Sequence, residues 1–350
     1  MEQLLKDWDG ETVVVRYDRP TGAWIFIAIH STRLGPATGG TRMMRYPSPE
    51  VAISDALKLA AGMTYKFAVP EFPRGGGKAV VAIPDDFDPQ TRTDLLRRYG
   101  KLIQQLGGLF YTGPDVGTSS SDMDIIAQTG APYIHSRTPS AGGAGSSGPA
   151  TAMGVFTGIQ VVCERLFGDP SLEGRRVLVQ GVGGVGESLI EHLRTAGAEV
   201  LFSEVDEQLV RRFRDELGFQ FVPAETVYST ECDIFSPCAL GGVLSGDTIS
   251  QLKCRAVAGG ANTQLAGPED AERLRTRGIL YAPDYVINVG GAMAITGIEA
   301  LGWSRGEAVR QVVHSILGGL RQVFELAEKE GITTEAAARR VAEEHLSKGS

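Results

Sequence analysis

Hydrophobic and polar positions follow two periodicities in the first part of this chain. Residues 12–18 and 24–30 are β-branched and aromatic runs separated by Arg-Pro-Thr-Gly, which predicts a β-hairpin. Ser48 and Pro49 are typical of a helix N-terminus, and the apolar positions after them recur at helical spacing. We therefore expect a sheet followed by a helix that leads directly to Lys66.

Helical and strand patterns also alternate through the middle of the chain. Residues 90–106 form an amphipathic helical pattern, residues 108–112 a short strand, and residues 118–128 a further helix. Residues 136–149 are small and poor in apolar groups, so they are the predicted interdomain hinge.

The second half alternates short apolar strands with helical segments, which predicts a parallel doubly wound sheet. A helix is expected at 150–167, and residues 304–349 look helical throughout. The strands of this half are expected at 176–180, 199–204, 232–235, 256–258 and 279–282.

Length and charge narrow the class of protein. A chain of 350 residues with 42% hydrophobic content suggests about two domains. A formal net charge of −8 argues against nucleic-acid and anionic-membrane partners, so small-molecule ligands are expected. No long apolar run or leader pattern is present, which favours a cytoplasmic protein. Four scattered cysteines and isolated histidines predict reduced thiols and no metal site.

Two lysines flank the triple glycine at residues 75–77. We expect these glycines to form a turn that permits positive φ and close backbone approach, with Lys78 opening the strand that follows. An ammonium group on a stiff element can bind a carboxylate or polarise a carbonyl, which makes Lys66 and Lys78 candidates for chemistry. Two solvated lysines on a glycine loop is the alternative from spacing alone.

Two further segments have both a functional and a structural interpretation. Asp115 follows a strand and lies between glycines, which suits a general acid or base, but this segment alone favours helix capping, because acids are common before helices. Residues 34–42 read as a glycine-rich loop whose backbone either lines a site or forms a plain surface turn.

A Gly-x-Gly-x-x-Gly sequence at residues 181–186 follows an apolar strand and precedes a helix and a second strand. This is the context that a dinucleotide-binding turn requires, with the pyrophosphate at the helix N-terminus. Glu204 ends the second strand and is expected to bind the adenosine ribose, which favours NAD over NADP; Asp206 is the alternative acid. The residues expected at this turn are Gly181, Gly183, Gly184, Val185 and Gly186.

Later strands of this half end in loops rich in small and polar residues. Ligands of doubly wound sheets bind beyond the carboxyl ends of the strands, so these loops are expected to border the nicotinamide. The candidates are Cys238, Ala239, Ala261, Asn262 and Asn288.

Taken together, these motifs resemble the leucine, phenylalanine and valine dehydrogenases, a family that also includes glutamate dehydrogenase. Several motifs in family order are far more specific than any one of them, and they cover nearly the whole chain. They lie at residues 34–42, 62–66, 75–78, 112–118, 181–186, 259–262 and 282–285.

The resemblance implies reversible oxidative deamination of an L-amino acid to its 2-oxo acid and ammonia, with hydride passing to NAD. It implies that Lys78 activates water and that Asp115 shuttles protons. The substrate carboxylate would be bound by Lys66 with help from Asn262, and the backbone of Gly39 and Gly40 would line the amino-acid site. A retained proton relay argues against the rival interpretation, an NAD-binding regulatory protein without turnover.

The resemblance also implies the architecture: an α/β protein of two domains around a cleft. An N-terminal α/β substrate domain is expected over residues 1–135 and 327–350, and a doubly wound Rossmann NAD domain over 136–326. Members of the family are homo-oligomers, so a homo-oligomer is expected.

Gly113 and Ala292 are the positions that the resemblance assigns to the substrate side-chain pocket. Leucine-type relatives tend to carry Ala and Val there, so smaller residues enlarge the pocket and favour L-phenylalanine. A branched-chain enzyme for leucine or valine is the alternative, since it would share every catalytic residue.

Overall fold

A computed structural model describes residues 2–348, and these residues form two compact units. The first unit comprises the residues up to Ser146, Ile295–Trp303 and the residues from Ala342; the second comprises Ser147–Ala294 and Ser304–Val341. This division differs from the domain boundaries expected after residues 135 and 326. The first change of unit follows Ser146, within the predicted hinge, and two of the three later changes fall inside helices. Met1, Gly349 and Ser350, which the expected ranges include, lie outside the described residues.

The first unit is built on a five-stranded mixed sheet with strand order β1-β2-β4-β3-β5. The pairs β1–β2 and β2–β4 are antiparallel, whereas β3 is parallel to both β4 and β5. The predicted hairpin is confirmed. The elements are α1 Glu2–Asp7, β1 Thr12–Asp18, β2 Ala23–Ser31, β3 Ala37–Met44, α2 Pro49–Ala68, β4 Gly75–Ala82, α3 Arg92–Gln105, β5 Phe110–Pro114 and α4 Ser120–Gly130, with short 3-10 turns at Pro89–Thr91 and Pro139–Ala141.

The two faces of this sheet are covered differently. One face packs the isoleucines of β2 and Phe110 of β5 against Tyr99 of α3 and Ile126 of α4. The other face packs β2 and β4 against α2, whose Ile53, Ala56 and Ala60 are fully buried. Ser48 caps α2 and Pro49 is its first residue, as the sequence predicts.

The glycine-rich segments are strands rather than loops, which corrects two expectations. Gly75, Gly76 and Gly77 open β4, and Gly39 and Gly40 lie inside β3. None of these five has positive φ. Glycine is required because neighbouring backbone lies too close for a side chain: a Cβ on Gly76 would fall 2.2 Å from the backbone nitrogen of Thr64.

The second unit contains a six-stranded sheet of order β11-β10-β9-β6-β7-β8, and every pair in it is parallel. The predicted doubly wound sheet is confirmed. Its elements are α5 Gly148–Phe167, β6 Arg176–Gln180, α6 Gly184–Thr195, β7 Glu199–Ser203, α7 Glu207–Arg211, β8 Gln220–Phe221, β9 Ile234–Pro237, α8 Gly246–Gln251, β10 Ala256–Val257, α9 Asp270–Thr276, β11 Leu280–Tyr281, α10 Asp284–Ile287, the start of α11 Gly290–Ala300, α12 Arg305–Glu330 and the first half of α13 Thr334–Lys348, with a π-helical turn at Arg212–Glu216 and a 3-10 turn at Ala224–Ser229.

The C-terminal segment is two helices rather than one. Gly331 has φ of +67° and ends α12, and α13 begins three residues later. The expectation of continuous helix was wrong because a left-handed glycine terminates a helix even where the apolar pattern continues. Within residues 2–348, every helix is too short or too polar to cross a bilayer.

Candidate active site

Lys78 and Asp115 form an ion pair in the first unit. Lys78 lies inside β4, and Asp115 directly follows β5. The Lys78 Nζ is 2.7 Å from the Asp115 Oδ2. The capping alternative for Asp115 is not what the structure shows, because Ser119 caps α4 through a capping box with Asp122.

Burial sets the electrostatics of this pair. The side chain of Lys78 is 7% exposed and that of Asp115 is 18% exposed. Burial lowers the pKa of Lys78 below its usual value, and the Asp115 carboxylate offsets only part of that effect. Burial alone would raise the pKa of Asp115, but Lys78 and Arg42 outweigh it, so the pKa lies below its usual value. Asp115 is therefore ionised beside a lysine that gives up its proton more readily than usual.

Arg42 is a second cation on the same carboxylate, and no role for it was predicted from the sequence. Its Nε donates to the Asp115 Oδ2 over 2.9 Å and its Nη1 donates to the Asp55 Oδ2 over 3.0 Å. Tyr46 in turn donates its hydroxyl to the same Asp55 oxygen over 2.6 Å. Arg42 stands at the end of the 34–42 motif, which was the available signal, but its two carboxylate partners are set by the tertiary fold.

Both cations bind one oxygen of Asp115. Within residues 2–348, the other oxygen, Oδ1, has no hydrogen-bond partner. A carboxylate held through one oxygen keeps the second for exchange with a ligand, which suits a proton shuttle.

The glycines of β3 allow this arrangement. A Cβ on Gly40 would lie 2.8 Å from the Pro114 carbonyl oxygen and 2.9 Å from the Asp115 Cβ. A Cβ on Gly39 would lie 1.7 Å from the Gly77 carbonyl oxygen. Bare backbone at these positions is therefore a condition for Asp115 to lie where it does.

Lys66 and Gly113, two further candidates, lie on separate elements of the first unit. Lys66 is half-buried in the last turn of α2. Gly113 is half-buried in β5, paired with Gly40, and its absent side chain would approach the His135 carbonyl oxygen at 3.7 Å. A methyl group would fit at this position. Glycine here therefore adds open space and is not required to avoid a clash.

In the second unit, the glycine-rich turn connects β6 to α6. Gly181 has φ of +91°, and a Cβ on Gly186 would lie 2.0 Å from the Gly181 carbonyl oxygen. A Cβ on Gly183 or Gly184, at the start of α6, would meet no atom within 4 Å, so the helix N-terminus with its following Val185 is open on that side. Such a cradle of backbone N–H groups fits a pyrophosphate.

Glu204, rather than Asp206, contacts this turn. The Glu204 Oε2 accepts the Val182 N–H over 2.9 Å, whereas Asp206 is the N-cap of α7. The Glu204 Oε1 accepts the N–H groups of Val205 and Asp206.

Loops at the ends of β9 and β10 converge on the same turn. A Cβ on Gly181 would lie 2.6 Å from that of Ala239, and one on Gly186 would lie 3.6 Å from that of Cys238. Ala261 donates its N–H to the Pro237 carbonyl over 2.9 Å.

Asn288 completes the polar lining of this region. It donates to the Asn262 Oδ1 over 2.9 Å, while its own Oδ1 is buried without a partner among the described residues. The buried acceptor and the open helix N-terminus fit a dinucleotide with a carboxamide. Ala292 is half-buried in α11. Residues 2–348 hold no cluster of three or more His, Cys, Asp or Glu side chains that suits a metal ion.

Comparison with known proteins agrees with this geometry. Residues 14–131 match the family described as "Glu/Leu/Phe/Val dehydrogenase, dimerisation domain", and residues 142–208 and 202–349 match "Glutamate/Leucine/Phenylalanine/Valine dehydrogenase". The chain is 42% identical to leucine dehydrogenase of Geobacillus stearothermophilus over 344 residues, covering 98% of this chain and 92% of that one. It is 42% identical to valine dehydrogenase of Streptomyces virginiae over 341 residues, covering 96% and 94%.

A solved structure extends the likeness. The crystal structure of L-tryptophan dehydrogenase from Nostoc punctiforme has a TM-score of 0.85 at 37% identity, covering 100% of this chain and 99% of that one. The chain therefore belongs to the Glu/Leu/Phe/Val dehydrogenase family, whose members are NAD(H)-dependent L-amino-acid dehydrogenases, oxidoreductases that act on CH–NH2 donors.

Proposed function

We propose that this protein catalyses the reversible oxidative deamination of an L-amino acid, with L-phenylalanine preferred to leucine and valine. The amino acid, water and NAD+ give the 2-oxo acid, ammonium, NADH and a proton. The observation that carries the proposal is the buried Lys78–Asp115 pair at 2.7 Å in a chain of this family.

Lys78 is proposed as the group that polarises the carbonyl and activates water. Its lowered pKa makes proton release easier, and Asp115 lies within direct reach of its ammonium group. The attacking water would give its proton to this pair while its oxygen adds to the substrate imine carbon.

Asp115 is proposed to move protons to and from the amino group through its Oδ1. Its ionised form at neutral pH can accept a proton from the substrate ammonium, which must be neutral before the Cα–H bond breaks. Lys66 is proposed to bind the substrate carboxylate, aided by Asn262, with Gly39 and Gly40 lining the amino-acid site.

NAD, when bound, accepts the hydride from Cα. The turn residues Gly181, Gly183, Gly184, Val185 and Gly186 are proposed to hold its pyrophosphate, and Glu204 its adenosine ribose. Side chains and backbone at the strand ends would orient the nicotinamide and exclude water from it. These are Cys238, Ala239, Ala261, Asn262 and Asn288.

The preference for L-phenylalanine rests on the two small residues proposed to line the side-chain pocket, Gly113 and Ala292. A second candidate is a branched-chain substrate, which the names of the leucine and valine dehydrogenases favour. A methylene changes selectivity in an apolar pocket by only about 1 to 3 kcal/mol, so activity on the disfavoured class should persist.

The test is NADH formation across a panel of L-amino acids that includes phenylalanine, leucine, valine and tryptophan. Asp115→Asn and Lys78→Ala should each lower kcat by about 10²- to 10⁴-fold while NAD binding stays nearly unchanged. Near-wild-type turnover in Asp115→Asn would exclude the proposed proton shuttle. A higher kcat/KM for leucine than for phenylalanine would show that a branched-chain amino acid is the preferred substrate. The double substitution Gly113→Ala and Ala292→Val should shift the preference toward leucine.

A further inference from the structure

Arg74 is a buried cation in the first unit for which the described residues provide no carboxylate. The residue is 8% exposed and immediately precedes β4. Its Nη1 donates to the Pro73 carbonyl over 3.0 Å, whereas its Nε is buried with no partner in the described part of the chain. Buried charges are normally paired because an unpaired one loses its hydration without compensation. The guanidinium therefore lacks a counter-ion.

The Tyr111 ring lies close to Arg74 and to His135, a second residue with a buried nitrogen that has no partner among the described residues. The Arg74 Cζ lies 5.4 Å from the Tyr111 ring centroid, and the His135 ring lies 5.3 Å from it on centroids. His135 is 4% exposed, and its Nε2 is buried without a partner among residues 2–348. Burial, Arg74 and Arg137 lower the pKa of His135 to about 4, so it is neutral at pH 7 and stands in a positive potential. Arg74 and His135 thus both lie against the Tyr111 ring, and we refer to these three residues as the positive corner. It contains two nitrogens without partners among the described residues, the Arg74 Nε and the His135 Nε2.

Glu299, the acid that binds the backbone beside His135, does not neutralise this corner. Its Oε1 accepts the Ser136 N–H over 3.1 Å and the Ala144 N–H over 2.6 Å. Ser136 itself has a left-handed backbone conformation with φ of +57°. The acid is therefore engaged by backbone N–H groups, and the Arg74 Nε and the His135 Nε2 remain without a partner among the described residues.

The corner lies next to Gly113. Tyr111 and Gly113 are two residues apart in β5, so both point to the same face of the sheet about 7 Å apart. A Cβ on Gly113 would lie 3.7 Å from the His135 carbonyl oxygen and 3.9 Å from the Ser136 Cβ. The segment that carries His135 therefore forms the wall beside Gly113.

We propose that Arg74 and His135 form an anion subsite for the far end of the substrate side chain, so that this protein accepts L-amino acids whose aromatic side chain ends in a carboxylate. This rests on the proposed function, in which the side chain lies beside Gly113. The guanidinium and the His135 Nε2–H would donate to the carboxylate, which supplies the missing counter-ion.

The direct test is calorimetric binding of two unreactive analogues to the full chain. These are 3-(4-carboxyphenyl)propanoate, which carries the extra carboxylate, and 3-phenylpropanoate, which lacks it. The carboxylated analogue should bind about tenfold more tightly, as charge-assisted hydrogen bonds allow. Arg74→Met should abolish this preference and Arg74→Lys should keep part of it. The exposed Arg45→Met is the matched control and should leave the preference unchanged.

Equal affinity for the two analogues, or a preference that survives Arg74→Met, would overturn the proposal and leave Arg74 as a cation–π contact of Tyr111. Should Arg74→Met fail to fold, His135→Phe removes the second donor: a reduced preference supports the subsite and an unchanged one overturns it. The ratio of kcat/KM for L-4-carboxyphenylalanine to that for L-phenylalanine should follow the same order of variants. If no amino acid is oxidised yet binding still depends on Arg74, the proposed function fails and the subsite stands.

Discussion

At the scale of single residues, Asp115 is governed by groups that are distant in sequence. Arg42 bridges Asp115 to Asp55, and Tyr46 holds Asp55 from the other side. Burial raises the pKa of Asp115, but Lys78 and, after it, Arg42 lower the pKa by more than burial raises it. Arg42 is thus a positioning residue that acts through Asp115.

Replacement of Arg42 should therefore change the pH dependence of the reaction. In Arg42→Gln the pKa of Asp115 rises, so the acidic limb of kcat/KM should move to higher pH. Arg42→Lys keeps the charge and should move the limb less. The measurement is the kcat/KM profile from pH 5 to 10, with the exposed Arg45→Gln as control. An acidic limb at the wild-type position in Arg42→Gln would contradict the role.

The same ion pair has a consequence for stability. Because the folded-state pKa of Asp115 is lowered, its contribution is present above the unfolded pKa of about 3.9 and is lost as pH falls through the lower folded value. The difference in unfolding free energy between wild type and Arg42→Gln should accordingly shrink on acidification toward pH 3. Urea titrations at pH 7 and pH 3 measure this difference.

At the scale of elements, the glycine-rich strands β3 and β4 depend on backbone contact. A Cβ on Gly76 would lie 2.2 Å from the Thr64 backbone nitrogen, which cannot move without shifting α2. Gly76→Ala should therefore lower the free energy of unfolding by about 1–3 kcal/mol. Gly62→Ala is the matched control: its Cβ meets nothing within 4 Å inside α2, so it should stabilise by up to about 1 kcal/mol. Chemical denaturation distinguishes the two, and equal stability of the variants would refute the packing argument.

The end of β7 carries a prediction about the cofactor. The Glu204 carboxylate contacts the glycine-rich turn, and a negative charge there repels the 2′-phosphate of NADP. The enzyme should use NAD in strong preference to NADP, and Glu204→Ser should reduce the difference in kcat/KM between the two cofactors. Initial rates with each cofactor test this, and equal kcat/KM for NAD and NADP in the wild-type enzyme would show that Glu204 does not face the ribose.

The sequence predicted most elements because their apolar positions follow a clear period. Residues 12–18 form β1 as expected, and the helix after Ser48 begins where its cap indicates. The strands made of glycine were missed because Gly39 and Gly75 have no side chain to show a pattern, although their close approach to backbone was expected. The Arg42–Asp55 contact was missed because it joins β3 to α2, a tertiary pairing that no local spacing encodes.

At the scale of the whole molecule, a homo-oligomer is expected. The first family match bears the words "dimerisation domain" and spans residues 14–131. Light scattering coupled to size-exclusion chromatography should therefore give a mass that is a multiple of 37.3 kDa. A single species at the mass of one chain, over micromolar concentrations, would refute the expectation.

The division of the chain between its two units has a consequence for its synthesis. Residues 295–303 and the residues from Ala342 belong to the first unit, where Trp303 packs on Phe72 and the His345 Nδ1 lies 2.9 Å from the Ala68 carbonyl oxygen. These contacts are made with the end of α2, which carries Lys66, and with the segment that leads into β4, which carries Lys78. On the ribosome, the N-terminal sheet emerges first. The first unit can be completed only after residues 295–303 and the residues from Ala342 have also been translated.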